Sequence, residues 1–275
     1  MKEFVLKKGQ LYQPKSGLRK GENGQVVIIG GSSLFHGAPL LSLKVASRIV
    51  DMVFFATPEP SVGKVAENFK SKLFSFIWVP WGEVGDYIKK SDAVLIGPGL
   101  MRYRREGKKS FDDLGKKSKE ITEKLLSQFP NKKWIIDAGA LQVMETKFIP
   151  KKAILTPNKR EYELPFGGMK PQEVAKRYQC ILVCKNRETI ICSPEKSQII
   201  KSKEIPLTKG GIGDVLAGLV VALLAKNPPF LSACASSWLM MKVINELFEE
   251  VGTSFNADDL VNKIPKILKK YASSN

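Results

Sequence analysis

The sequence holds a single histidine, His36, and four cysteines, Cys180, Cys184, Cys192 and Cys234, with no Cys-x-x-Cys pair among them. A structural zinc centre takes about four closely spaced Cys or His ligands, so none is expected. Cys180 and Cys184 flank Ile181-Leu182-Val183, a setting in which cysteine acts as a small buried hydrophobe rather than a redox group. Long apolar runs are also missing. The longest, 215–225 and 52–56, fall well short of the roughly 18–20 residues that cross a bilayer. The stretch Met1-Lys2-Glu3-Phe4-Val5-Leu6-Lys7-Lys8 lacks the apolar core of a secretory signal. These absences argue against zinc modules, membrane spanning and conventional secretion, and a reducing cytoplasm is expected.

Acidic residues are few relative to basic ones: 27 Asp and Glu stand against 44 Lys and Arg, a formal charge of +17. That excess favours anionic partners such as phosphorylated small molecules or nucleic acid. The densest basic block, Arg102-Tyr103-Arg104-Arg105-Glu106-Gly107-Lys108-Lys109, reads either as a solvated face or as a phosphate contact. It lacks the aromatic interleaving of a base-stacking platform, so nucleic acid is not the expected ligand. Residues 1–20 carry six basic residues and one acid, and are expected to form a basic arm or a subunit contact. Internal repeats and low-complexity linkers are absent. With 275 residues and 43% apolar content, one domain over 1–275 is expected, its length fully used by one fold with no companion domain. The sequence is compatible with a homo-oligomer.

What is present is an alternation of β-branched runs and helical patterns. Strands are expected over 26–29, 52–56, 74–79, 93–96, 134–136, 153–155 and 181–184, and helices over 38–49, 62–70, 111–128 and 171–178. Such alternation implies right-handed crossovers and an α/β, doubly wound, mostly parallel sheet with helices on both faces. After 184 the pattern changes: 188–192 and 198–201 suggest an antiparallel edge, followed by helices starting near Asp214, Pro229 and Asn256.

The strand exits are small or polar: Gly30-Gly31-Ser32, Thr57-Pro58-Glu59, Gly97-Pro98-Gly99, Asp137-Ala138-Gly139, Thr156-Pro157-Asn158 and Lys185-Asn186. In a doubly wound sheet all six lie on one edge, where ligands bind. The sharpest segment is Gly210-Gly211-Ile212-Gly213-Asp214, which runs into a helix that is apolar all round and therefore buried. Its first N–H groups need partners, and a phosphate would supply them. A carboxylate at that place repels phosphate. Asp214 therefore reads either as a general base beside an anion hole or as a simple helix cap.

At this point the chain resembles the ribokinase-like superfamily, whose buried helix starts with Gly-x-Gly-Asp, and within it the ADP- or ATP-dependent NAD(P)H-hydrate dehydratases. The resemblance runs from 24 to 268 through 27–39, 92–100, 134–141, 154–161, 181–189, 209–218 and Asn256-Ala257-Asp258-Asp259-Leu260. It implies repair of NADH or NADPH whose nicotinamide ring has gained water. The ring hydroxyl is phosphorylated and phosphate is then eliminated. It also implies Asp214 as the base, with Gly211 and Gly213 supplying amides to the transferred phosphoryl group and Gly213 beside the nucleotide. Ala38, Gly99, Asn158 and Asp214 match substrate positions. Lys185, Asn186, Arg187, Glu188 and Thr189 match the adenine-nucleotide stretch. ADP or ATP and Mg2+ are the implied cofactors.

Three positions depart from the family pattern. Asn158 stands where His usually follows Thr-Pro, and with Glu161 it forms the Asn-x-x-Glu seen at the magnesium site of ribokinase-like kinases. This gives Glu161, and Asn158 through water, as the expected metal residues. Gly139 replaces the second carboxylate of Asp-Ala-Asp, and Asn186 replaces the glycine of Lys-Gly. A small-molecule kinase on this fold is therefore the alternative function, and a basic nucleic-acid-binding protein the second. His36 either faces the substrate or is solvated. Trp78 and Trp81 belong to the core or stack on a base.

Overall fold

The computed structural model describes residues 1–69, 75–103, 113–185, 188–201, 205 and 209–271. Its strands are β1 (Lys2–Glu3), β2 (Gln25–Ile29), β3 (Met52–Ala56), β4 (Ile77–Trp78), β5 (Ala93–Ile96), β6 (Lys133–Ile136), β7 (Ile154–Leu155), β8 (Ile181–Lys185), β9 (Thr189–Cys192) and β10 (Ser197–Ile200). The helices are α1 (Gly37–Ala46), α2 (Pro60–Phe69), α3 (Val84–Lys90), α4 (Asp113–Gln128), α5 (Ala138–Val143), α6 (Lys159–Phe166), α7 (Pro171–Tyr178), α8 (Ile212–Lys226), α9 (Pro229–Val251) and α10 (Ala257–Lys270). The strands form one sheet in the order β1-β10-β9-β8-β7-β6-β5-β2-β3-β4. Every neighbouring pair is parallel except the two that include β9, as the alternation predicts.

Strand alternation divides the core into two layers. Val26, Ile28, Phe55 and Leu95 face the layer of α1, α8, α9 and α10. Val27, Ile29, Phe54 and Ile96 face the layer of α3 to α7. The order reverses between β2 and β5, and this switch point opens a crevice at the carboxyl ends of those strands. Helix α8 brings its amino terminus to the same edge. All its residues from Val215 to Ala225 are buried, which explains the unbroken apolar run.

The structure differs from the sequence reading in several places. The helix expected over 38–49 ends at Ala46, and Ser47 to Val50 turn into the next strand. The strand expected over 74–79 is reduced to Ile77–Trp78, with residue 74 outside the described residues. Helices α3, α5 and α6 are additional to those expected from periodicity. The amino-terminal segment packs on the domain instead of standing off as an arm. Lys2–Glu3 pairs with β10, Leu6 and Leu11 are buried, and the Tyr12 amide donates to Asn227 Oδ1 at 2.8 Å. No helix among the described residues is long and apolar enough to cross a membrane.

Candidate active site

The crevice is built from loops that interlock through their main chains. The Gly31 amide donates to Pro98 O at 2.9 Å, joining the exits of β2 and β5. Gly99 has φ 72°, and a Cβ there would stand 2.3 Å from Phe35 O. Only glycine meets both demands. This approach brings Gly99 against the loop that leads into Ala38, which is half-buried at the start of α1. The exposed His36 precedes α1 without capping it. Trp78 packs against the core, and its buried Nε1 has no hydrogen-bond partner among the described residues.

Helix α1 runs directly to the second wall. Ser42 Oγ donates to the main-chain oxygen of Asp214 at 2.7 Å. Gly211, the N-cap of α8, is left-handed at φ 88° and provides no side-chain cap. Among the described residues, the amides of Gly211, Ile212 and Gly213 make no well-formed turn or loop hydrogen bond to another main-chain group. A buried helix whose first donors find no capping oxygen among the described residues has the character of an anion-binding terminus.

Asp214 follows in the first turn and is half-buried. Burial pushes its carboxyl up, the Asp137 and Glu161 carboxylates push the same way, and it reaches about 7 against the opposing pull of Lys185. Asp214 does not close the helix as a cap; its own amide is the backbone group beside its carboxylate.

Lys185 ends β8. Its Nζ lies 3.2 Å from Asp137 Oδ1, and a Cβ on Gly213 would stand 3.3 Å from it. Burial works against its charge, but Asp137, Glu161 and Asp214 together raise its pKa. Asp137 is almost fully buried at the end of β6, and its Oδ1 also accepts from Thr156 Oγ1 at 2.6 Å. Glu161 is buried too. Desolvation and then the Asp137 charge raise its pKa, opposed by Lys185, the Asn158 amide and Arg102. Three carboxylates thus share one lysine next to the amino terminus of α8.

Asn158 and Glu161 form a reciprocal capping box at the start of α6. The Glu161 amide donates to Asn158 Oδ1 at 2.9 Å, and the Asn158 amide donates to Glu161 Oε2 at 3.0 Å. The Asn-x-x-Glu spacing therefore has a structural use in this chain. Gln142 Nε2 lies 3.4 Å from Glu161 Oε1. No group of three or more His, Cys, Asp or Glu side chains able to hold a metal occurs among the described residues. Of the nucleotide stretch, Asn186 and Arg187 lie outside the described residues. Glu188 is exposed, and Thr189 pairs with Lys185 across the β8–β9 turn. Arg104 to Lys109 of the basic block also lie outside the described residues.

The fold therefore gathers Asp214, Gly211, Gly213, Lys185, Asn158 and Glu161 at one sheet edge, with Ala38 and Gly99 on the adjoining loops. Asp137 and Thr156 belong to the same cluster and were not singled out as site residues from sequence. Asp137 stood in a strand exit and in the Asp-Ala-Asp pattern, but its pairing was not legible because its partner lies 48 positions away.

Residues 26–266 match the family model described as NAD(P)H-hydrate dehydratase. The bifunctional NAD(P)H-hydrate repair enzyme Nnr of Methanocaldococcus jannaschii is 34% identical over 270 residues, covering 93% of this chain and 50% of that protein. The ADP-dependent (S)-NAD(P)H-hydrate dehydratase of Nitrosopumilus maritimus is 27% identical over 281 residues, covering 94% of this chain and 92% of that protein. Among solved structures, the Bacillus subtilis ADP/ATP-dependent NAD(P)H-hydrate dehydratase co-crystallised with ATP/Mg2+ superposes with a TM-score of 0.76 at 22% identity, over 95% of each chain. The fold is ribokinase-like. The chain spans about half the length of the bifunctional relatives it matches. Family model, relatives and fold agree: the chain belongs to the NAD(P)H-hydrate dehydratase family.

Proposed function

We propose that the protein restores NADH or NADPH from their hydrated forms with an adenine nucleotide as phosphoryl donor. The observation that carries this reading is the Asp214 carboxylate, raised to about 7, in the first turn of a buried helix whose glycine N-cap supplies no side-chain cap and whose Gly211, Ile212 and Gly213 amides point to an anion. A base in that range is ionised in a large fraction of molecules at neutral pH and still holds a proton well. Asp214 takes the proton of the ring hydroxyl, and that oxygen attacks the terminal phosphorus. The bond from phosphorus to the bridging oxygen breaks, and the shortened nucleotide leaves. The carbon–oxygen bond then breaks with its electron pair on phosphate, the adjacent ring carbon loses a proton, and the ring double bond returns. The amides at the start of α8 and the Lys185 ammonium face the charge on the transferred group, the main contribution a protein makes in phosphoryl transfer.

The name of the Nitrosopumilus maritimus relative and the ATP/Mg2+ in the Bacillus subtilis structure support ADP or ATP as donor. Lys185, Asn186, Arg187, Glu188 and Thr189 are the stretch assigned to it. Magnesium takes one or two carboxylates and fills its remaining positions with water and phosphate. Asn158 Oδ1 and Glu161 Oε2 each keep a lone pair beyond the capping box, so they fit such an ion through water. When bound, it would neutralise charge on the nucleotide phosphates. Four free, buried thiols support a cytoplasmic setting.

The test is incubation of the protein with hydrated NADPH, Mg2+ and either ADP or ATP. The expected result is return of the near-ultraviolet absorbance of the reduced nicotinamide together with release of inorganic phosphate. Unchanged absorbance in the presence of both nucleotides would contradict the reading. Accumulation of a phosphorylated substrate without phosphate release would favour a kinase.

A further inference from the structure

Asp137 has no part in the steps above, yet it is the most buried charge of the cluster. It stands at the N-cap position of α5 but makes no side-chain cap bond to that helix. Instead its Oδ1 accepts from both Thr156 Oγ1 at 2.6 Å and Lys185 Nζ at 3.2 Å. The residue after it, Ala138, has φ 44°, a left-handed conformation that residues other than glycine rarely adopt. The chain therefore accepts backbone strain at the point where Asp137 turns from its own helix toward Lys185.

We propose that Asp137, oriented by Thr156, is a positioning residue that holds the Lys185 ammonium over Gly213 and away from Asp214. Lys185 feels three carboxylates, those of Asp137, Glu161 and Asp214, and forms its hydrogen bond with Asp137. A lysine side chain has four flexible bonds, and fixing its head beforehand removes that ordering step from the reaction. Pairing with Asp137 also leaves Asp214 free to accept a proton. The inference rests on the phosphoryl-transfer reading for its purpose, while the placement of Lys185 can be tested without turnover.

Competitive acetylation of the whole protein by acetic anhydride, read by mass spectrometry, tests the placement. In the wild-type protein Lys185 is expected to react at least about fivefold more slowly than the exposed Lys151. In Asp137→Asn, which keeps the Thr156 hydrogen bond and loses the ion pair, Lys185 is expected to react at least about fivefold faster than in wild type, with Lys151 unchanged. Equal Lys185 labelling in both proteins would overturn the inference. If Asp137→Asn does not fold, Thr156→Val serves instead, with faster Lys185 labelling expected and unchanged labelling overturning it.

Kinetics with hydrated NADPH, ATP and Mg2+ then test the role. Asp137→Asn is expected to lower kcat by about tenfold or more with the KM for ATP within about threefold, the split of an interaction made in the transition state. Lys185→Met is expected to lose at least as much, and the double variant no more than Lys185→Met. Losses that multiply in the double variant would show a separate structural role and overturn the proposal. A wild-type protein that labels as expected but leaves the hydrate untouched would contradict the dehydratase reading alone, with the placement of Lys185 still supported.

Discussion

Ser42 Oγ donates to the Asp214 main-chain oxygen at 2.7 Å, so the helix that follows the first glycine loop is fastened to the residue proposed as base. Ser42 is fully buried, and its hydroxyl is a direct link between α1 and the first turn of α8. Ser42→Ala is expected to destabilise the protein by about 1 kcal/mol or somewhat more, because a buried hydrogen bond between α1 and α8 is lost. At this chain length that lowers Tm by roughly 2–6 °C, readable by calorimetry. A variant with wild-type Tm would contradict the link.

Stability should fall as pH rises from about 4 to about 7, through the titration of Asp214. Its folded pKa of about 7 lies above the ordinary aspartate value of 3.8, so in this window the native state binds more protons than the unfolded state. The slope of unfolding free energy against pH is then negative. Asp214→Asn removes this contribution and should flatten the curve. The difference between the two proteins has a ceiling of about 4 kcal/mol at the upper end. Urea unfolding across that pH range checks the sign. An equally steep curve for both proteins would assign the slope to other groups.

Gly139 occupies the position where the family pattern has a carboxylate, and the loop after β5 closes on it. A Cβ at 139 would stand 2.1 Å from Leu100 O. Gly139→Asp therefore should not improve activity by restoring the family residue. It should destabilise by roughly 1–3 kcal/mol or more through overpacking against main chain, with turnover falling in parallel. Thermal unfolding with a wild-type midpoint would show that the loop yields easily.

The fold was legible where sequence periodicity is strong. The runs at 26–29, 52–56 and 93–96 are short and almost continuously apolar, as strands of a parallel sheet covered on both faces must be. The uniformly apolar α8 was legible because both its faces are covered. Helix α5 has only six residues, and α6 is largely polar with Pro165 inside it, so neither carries a readable periodicity. For the site, contiguity decided the outcome. Gly211, Gly213 and Asp214 stand together in sequence and could be read as one unit. The ion pair of Asp137 and Lys185 joins residues 48 apart and exists only through the sheet order. Asn158 and Glu161 were legible as a pair, but the spacing that suits a cation is also the spacing of a capping box, and the structure contains that box.

The most direct measurement is kcat for the hydrated cofactor as a function of pH, in the wild-type protein and in Asp214→Asn. The expected wild-type profile rises through about pH 7 as the Asp214 carboxyl ionises and then levels off. The asparagine variant should be lower by about 10²-fold or more, without that rise, while remaining folded. An asparagine variant that turns over at the wild-type rate, or that keeps the same rise near pH 7, would contradict the assignment of Asp214 as the base.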